Sequence, residues 1–310
     1  MKKSSCELVL QLFPKVFEFA DLRLTYIGNC GVNIFLSSTA IMLNIATILA
    51  IRKTPSLPNT FKTLHLSLAV SDVGVVLLGQ PFYAALLVKW VQQNNPACII
   101  YMVFIFIQSV FSWASFLGVV AISADRFLAI HFHLRYQELV THKRVVAVVI
   151  SIWLFRVFCP WMVFWIPPDI YSFIIVIFGV IGLFLTTVAY IRIYKAVQLH
   201  KNQILALQIQ EEAENGKMTN FARIIKSSVG TLYVYVVFLI CYLPYFIILA
   251  IYKINGPSIE FKRCFLYSCT VVYLNSSLNP VIYCWKMRHI RHAIMDILRN
   301  RSWLGNRALH

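Results

Sequence analysis

Asp125 and Arg126 stand side by side at the end of a stretch, residues 99–124, that contains no charged side chain. An acid next to a base at the mouth of a membrane-length apolar stretch needs an explanation. Asp72 lies in the middle of another apolar run, Leu66 to Asp72 and beyond, and Arg156 lies in a third. A charge within hydrocarbon costs about 2.5–3.5 kcal/mol even on the most lenient scale, so such residues mark ion paths, proton relays or switches. Bond-making chemistry lacks its usual groups. No Ser/His/Asp set, metal motif or phosphate loop stands out, and most of the eight histidines fall in polar connecting segments and the tail. The charged residues therefore call for a functional explanation other than bond-making chemistry.

The elements that must position them are apolar and long. The chain has 310 residues, 59% hydrophobic and 13% charged, against about 25% charged in an average soluble domain. A bilayer core needs roughly 20 apolar residues per helix. Seven stretches qualify, near 30–52, 60–88, 97–131, 143–166, 170–198, 221–252 and 262–285. The expectation is an all-α fold: a seven-transmembrane helix bundle with a C-terminal amphipathic helix on the membrane surface. It divides into an N-terminal extracellular segment (1–29), the seven-span domain (30–285) and a cytoplasmic helix and tail (286–310). The net charge of +16 belongs to a membrane surface rather than to nucleic acid, because the bases sit between the apolar blocks. Most of them, including Arg52, Lys53, Arg135, Lys143, Arg144, Arg192, Lys195, Arg288 and Arg291, fall in alternate connections and the tail. The positive-inside rule then puts the N-terminus outside and the C-terminus inside.

Several local features follow. Met1 to Asp21 does not read as a signal peptide, because Pro14 and Lys15 break its apolar run. The polar connection 199–220, with Glu211, Glu212 and Glu214, is expected to extend the fifth and sixth helices into water. Lys286 to Leu298 alternates bases with Ile290, Ile294, Ile297 and Leu298, the spacing of a helix lying on the inner leaflet. The eight cysteines lack metal-ligand spacing. Cys159 and Cys241 fall within spans, and Cys284 is a candidate acylation site. A bond between two of Cys6, Cys30, Cys98 and Cys264 is left open.

In order along the chain, Asn44, Leu68 to Asp72, Asp125-Arg126-Phe127, Trp153, Tyr190, Cys241-Tyr242-Leu243-Pro244 and Asn279-Pro280-Val281-Ile282-Tyr283 resemble the motifs of the rhodopsin-like (class A) G-protein-coupled receptors. The resemblance covers all seven spans. It implies a receptor that couples an extracellular ligand to a heterotrimeric G protein. Asp125, Arg126, Tyr190, Tyr242, Pro244, Asn279, Pro280 and Tyr283 would be the switch, with Arg126 turning from Asp125 toward the G protein. Asn44, Asp72, Ser115, Asn275, Ser276 and Asn279 would converge as the family's sodium pocket, with Asp72 as the metal-binding carboxylate. No other cofactor is implied. Physically, Pro244 and Pro280 interrupt the backbone ladder and allow helices to pivot.

The same resemblance excludes ligands. Gln108 replaces the aspartate of amine receptors, and Tyr273 replaces the Schiff-base lysine of opsins. Tyr101 stands where the family's usual third-span disulfide begins, so that bridge is not expected. Gly182 replaces a common fifth-span proline. A short link at Ile166-Pro167-Pro168-Asp169 is similar to the melanocortin and some lipid receptors, yet Phe82, Gln108 and Phe111 replace the acids that bind a basic peptide there. Phe82, Tyr83, Phe104, Gln108, Phe111, Tyr242, Tyr245, Phe246, Tyr267 and Tyr273 should line an aromatic, almost uncharged cavity for a neutral or lipid-like small molecule. A peptide ligand is the alternative. A transporter is disfavoured by the absence of repeats and repeated ionisable spans. Ile224 stands where many relatives carry an acid that holds the arginine across helices. With Arg223 and Lys226 nearby, the latch would rest on Asp125 alone, and ligand-independent activity is expected.

Overall fold

A chain segment in hydrocarbon must satisfy every backbone N–H and C=O from within itself, and the α-helix does so. The computed structural model is accordingly all-α and describes residues 10–55, 57–132, 135–161, 165, 168–207, 215–286 and 290–296. Side chains are described over the same residues except 160, 168, 169, 171, 172, 175, 197, 200–207 and 215–227. Among these, seven long helices follow in order: α1 Arg23–Lys53, α2 Asn59–Val91, α3 Cys98–His131, α4 His142–Trp161, α5 Pro168–Leu207, α6 Asn215–Asn255 and α7 Ile259–Lys286. A single turn, Tyr136–Leu139, lies between α3 and α4, and residues 290–296 are helical.

The bundle is inside-out relative to a soluble protein. Leu24, Phe35, Met42, Phe184 and Ile240 point outward, while Asn29, Asn33, Asn44, Asp72, Asn275 and Asn279 are buried. Outward apolar side chains meet hydrocarbon, and the polar groups find partners only inside. α1, α2, α3, Val176–Ala196 of α5 and Ser228–Asn255 of α6 are long and apolar enough to cross a membrane. Among the described residues α4 and α7 fall outside that group; α7 carries the polar residues Asn275, Ser276, Ser277 and Asn279 on its buried face.

α3 is the hub and touches α2, α4, α5 and α6, while α7 closes the ring against α1 and α6. Two apolar clusters divide the interior. One gathers Ile51, Phe61, Phe116, Phe238, Tyr242 and Tyr283, together with Ile290 and Ile294 of the short C-terminal helix. The other gathers Trp90, Tyr101, Phe104, Phe265 and Tyr273, together with Phe13 and Phe19 from the segment before α1.

Three differences from the expectation have physical causes. α1 begins at Arg23 rather than near residue 30, because Thr25, Asn29 and Asn33 are buried by neighbouring helices despite their polarity. Asn33 donates to Thr270 (2.8 Å), Thr270 to Asn29 (2.5 Å) and Gln80 to Asn33 (3.3 Å). α2 contains a π turn, Val75–Gly79. Pro81, which follows it, has no N–H to give, and the wider turn takes up the broken ladder. The third difference is at Tyr267, expected in the cavity but 48% exposed, because its position on α7 faces away from the neighbours that bury Leu266. α5 runs to Leu207 and α6 begins at Asn215, so both reach into the polar connection 199–220; Glu211, Glu212 and Glu214 lie outside the described residues, as do Pro167, Ile297 and Leu298.

Candidate functional site

At one end of the bundle, Asp125 and Arg126 are both buried. Arg126 Nε donates to Asp125 Oδ2 at 2.9 Å, and Nη2 grips the same oxygen. The other oxygen, Oδ1, accepts a 2.7 Å bond from the hydroxyl of Tyr136. Burial, and then the neighbouring Asp125 carboxylate, push the Tyr136 phenol up to about 12, so it stays a proton donor at neutral pH. The guanidinium lies 5.5 Å from the Phe61 ring. Phe61 stacks on His65 at 3.8 Å, and His65 meets Tyr283 edge-on at 5.5 Å. His65 Nδ1 donates to the Phe61 carbonyl at 3.0 Å, while His65 Nε2 and the Tyr283 hydroxyl have no hydrogen-bond partner among the described residues. Tyr190 bridges α5 to α6, donating to the Thr231 carbonyl at 2.9 Å and stacking on Tyr235 at 4.9 Å. Pro244 and Pro280 sit inside α6 and α7. The side chains of Arg223, Ile224 and Lys226 lie outside the described ones.

Halfway along the bundle, Asp72 is wholly buried. Asn279 Nδ2 donates to its Oδ2 at 2.8 Å, and Ser115 reaches Oδ1 at 3.4 Å. Asn44 is one step removed: its amide donates to the Ser276 carbonyl at 2.9 Å. Both side-chain polar atoms of Asn275, and the Oδ1 atoms of Asn44 and Asn279, are buried with no partner among the described residues. Leaving such atoms unpaired costs about 1–3 kcal/mol each, so this cluster has spare oxygen and amide capacity around one carboxylate. That is the donor set a hard cation or a group of waters takes up.

Toward the other end, Tyr273 donates to the Gly79 carbonyl at 3.3 Å. Gln108 donates to Ser112 at 3.1 Å. Gln108 and Tyr273 meet over Gly79, where an added Cβ would lie within 3.7 Å of both. Phe111 covers Gly74 so closely that a Cβ there would sit 2.1 Å from its ring. Phe104 packs with Phe82 at 5.9 Å and Tyr83 at 5.7 Å, Tyr83 with Tyr273 at 5.6 Å, and Tyr245 with Phe265 at 5.9 Å. Tyr242 lies deeper, stacked on Phe238 at 4.2 Å. A cleft of about 530 Å³ lies elsewhere, between α3, α4 and α5, lined by Trp113, Phe116, Ser151, Phe155, Phe178 and Gly182 among others.

Two sequence signals resolve differently. Trp153 donates to Ser67 at 3.1 Å, and Arg156, almost fully buried, lies 3.7 Å from the Trp153 ring. Cys98 is disulfide-bonded, whereas Cys30 and Cys264 are free thiols; Cys6 lies outside the described residues. Tyr136, His65 and the Phe13 segment escaped the sequence reading. His65 alone carried a signal, as a lone imidazole within an apolar span.

A profile of the family described as "7 transmembrane receptor (rhodopsin family)" matches residues 43–169 and 163–283. Among curated proteins, the chain is 27% identical over 276 residues to melanocortin receptor 4 of Danio rerio, covering 84% of this chain and 81% of that one. It is 24% identical over 294 residues to adenosine receptor A3 of Ovis aries, covering 89% and 90%. To galanin receptor 2b of Danio rerio it is 26% identical over 266 residues, covering 77% and 66%.

Proposed function

Since this chain belongs to the rhodopsin family of seven-transmembrane receptors, we propose that it is a plasma-membrane receptor with its N-terminus outside. A ligand would bind among the aromatic side chains around Phe104, Gln108 and Tyr273, and a heterotrimeric G protein would engage the Arg126 end. The chain signals as a receptor and performs no bond chemistry of its own. The orientation rests on the bases, which concentrate at the end bearing Arg126.

The observation that carries the reading is the buried Asp125–Arg126 pair, held against Phe61 and tied by Tyr136. A ligand that fits an open arrangement better than the closed one shifts the population toward it. Pro244 lets α6 bend, because the carbonyl four residues back has lost its N–H partner. Bending α6 would strain the Tyr190–Thr231 bond and free the guanidinium of Arg126. The orphaned hydroxyl of Tyr283 is then available as a new partner inside the bundle. Asp72, Ser115, Ser276, Asn279, Asn44 and Asn275 lie between the two ends, and a sodium ion among them would favour the closed state by filling their unmet oxygen capacity. That set fits a hard monovalent cation, since one carboxylate balances one charge.

The three relatives bear the names of three different ligands, so the ligand class is read from the side chains around Phe104, Gln108 and Tyr273. An aromatic, mostly uncharged lining suits a neutral or lipid-like small molecule. A peptide is the second reading, favoured by one observation: Phe13 of the chain's own N-terminal segment is seated among these rings. The test is a ligand screen in cells carrying a promiscuous G protein, with Arg126→Ala beside it. Ligand-dependent signalling lost in Arg126→Ala at equal surface expression is expected. Equal responses from both proteins count against the reading, and substrate flux in vesicles would favour a transporter.

A further inference from the structure

The segment before α1 is folded into the same end of the bundle as the candidate ligand chamber. Phe13 is 1% exposed. Its ring stacks on Tyr101 at 4.7 Å and lies 6.0 Å from Trp90, 6.0 Å from Phe104 and 6.1 Å from Phe265. Through Phe104 and Tyr83 these contacts reach Tyr273, and through Phe265 they reach Tyr245. Five residues on, Glu18 accepts two bonds, 2.8 and 2.6 Å, from the ammonium of Lys262 at the start of α7. Lys262 is 2% exposed. Gln11 accepts a 3.0 Å bond from Tyr252 of α6. A flexible lead-in needs none of this. A buried aromatic anchor with a desolvated ion pair beside it is the pattern of a bound ligand.

We propose that residues 10–18 are a tethered, competitive occupant of the ligand chamber. An outside ligand displaces them by offering an aromatic ring to the cage of Trp90, Tyr101, Phe104 and Phe265 and a carboxylate to Lys262. The proposal rests on the receptor reading and carries its peptide version further. A tether on this scale supplies an effective concentration on the order of millimolar, so a free competitor meets a site that is already filled. Once Glu18 leaves, Lys262 is a buried cation without its carboxylate, which is why a ligand carrying one is selected over a neutral ring.

The probe is a fluorescent synthetic peptide of residues 10–19, titrated onto the full-length chain in phosphatidylcholine nanodiscs. Phe13→Ala in the receptor empties the cage, and the peptide is expected to bind it at least ten-fold more tightly than it binds wild type. A peptide carrying Phe13→Ala is expected to bind neither. Lys262→Glu guards against a folding artefact. It should reject the native peptide and accept one carrying Glu18→Lys. Equal affinity for wild type and the Phe13→Ala receptor overturns the proposal, as does binding that ignores residue 13 of the peptide. Binding needs no G protein, so the receptor reading fails separately: the peptide would bind as expected while Arg126→Ala leaves signalling unchanged.

Discussion

Tyr136 donates a 2.7 Å hydrogen bond to Asp125, on the carboxylate oxygen opposite the one that Arg126 grips. The proposed latch is therefore a three-residue arrangement in which a loop side chain holds the acid that the base grips. A hydrogen bond to a charged acceptor contributes about 1.5–3 kcal/mol. Tyr136→Phe keeps the ring and removes the bond.

The first prediction is that Tyr136→Phe raises ligand-independent signalling about three-fold or more over wild type, read by a G-protein reporter at matched surface expression. Wild type itself should already signal above empty cells, given Ile224 where many relatives carry an acid. Basal output at the level of empty cells in both proteins would sink the idea that the latch is weak.

Asp72→Asn removes the charge that would hold a cation but keeps the size and one acceptor oxygen, enough for the bond from Asn279. Wild type should lose ligand affinity or change basal signalling as sodium replaces a large organic cation, and Asp72→Asn should be insensitive to the exchange. If sodium has no effect on wild type while Asp72→Asn still alters signalling, the cluster is a hydrogen-bond network and not an ion site.

Gly182 faces Phe116 so closely that a Cβ would lie 2.4 Å from the ring tip. Phe116 in turn packs on Phe238 of α6 at 5.6 Å. Gly182→Ala should cost about 1–3 kcal/mol by overpacking, seen as a lower melting temperature of the purified protein. Adding Phe116→Leu should recover part of the loss; an unchanged melting temperature in the single variant would refute the close approach.

Arg156 is almost fully buried, and its Nε and Nη2 have no hydrogen-bond partner among the described residues. The Trp153 face offsets only part of the desolvation, since a cation–π contact is worth about 2 kcal/mol when desolvated. Arg156→Met, similar in reach and apolar, should leave the melting temperature unchanged or raise it. A clear fall would mean that the cation holds more than the Trp153 ring.

Much of the fold was legible because hydrocarbon imposes a simple rule on the chain. An apolar run of membrane length must be a helix, so α2, α3, α5 and α6 were recognisable from composition. α1 starts earlier than its apolar run because Thr25, Asn29 and Asn33 look like loop residues until Thr270 and Gln80 are set against the two asparagines. The π turn at Val75–Gly79 was invisible for a related reason: Pro81 signals a broken ladder but not how the chain absorbs it. Asp125 and Arg126 were evident as adjacent charges. Tyr136 was not, since nothing in residues 127–136 specifies that the chain doubles back onto Asp125.

By itself the sequence determined the helical class, the order of the apolar helices, the adjacent charged pair and the family motifs, because these depend on local apolarity and on neighbours in the chain. Only the tertiary structure decided which polar groups meet. Thr270 finds Asn29 and Lys262 finds Glu18 across separations of 241 and 244 residues. Such contacts arise from how the helices pack around α3, and packing depends on the shapes of whole faces rather than on any local pattern. The seating of Phe13 belongs to the same kind: a short apolar segment goes wherever the bundle leaves an aromatic cage of its size.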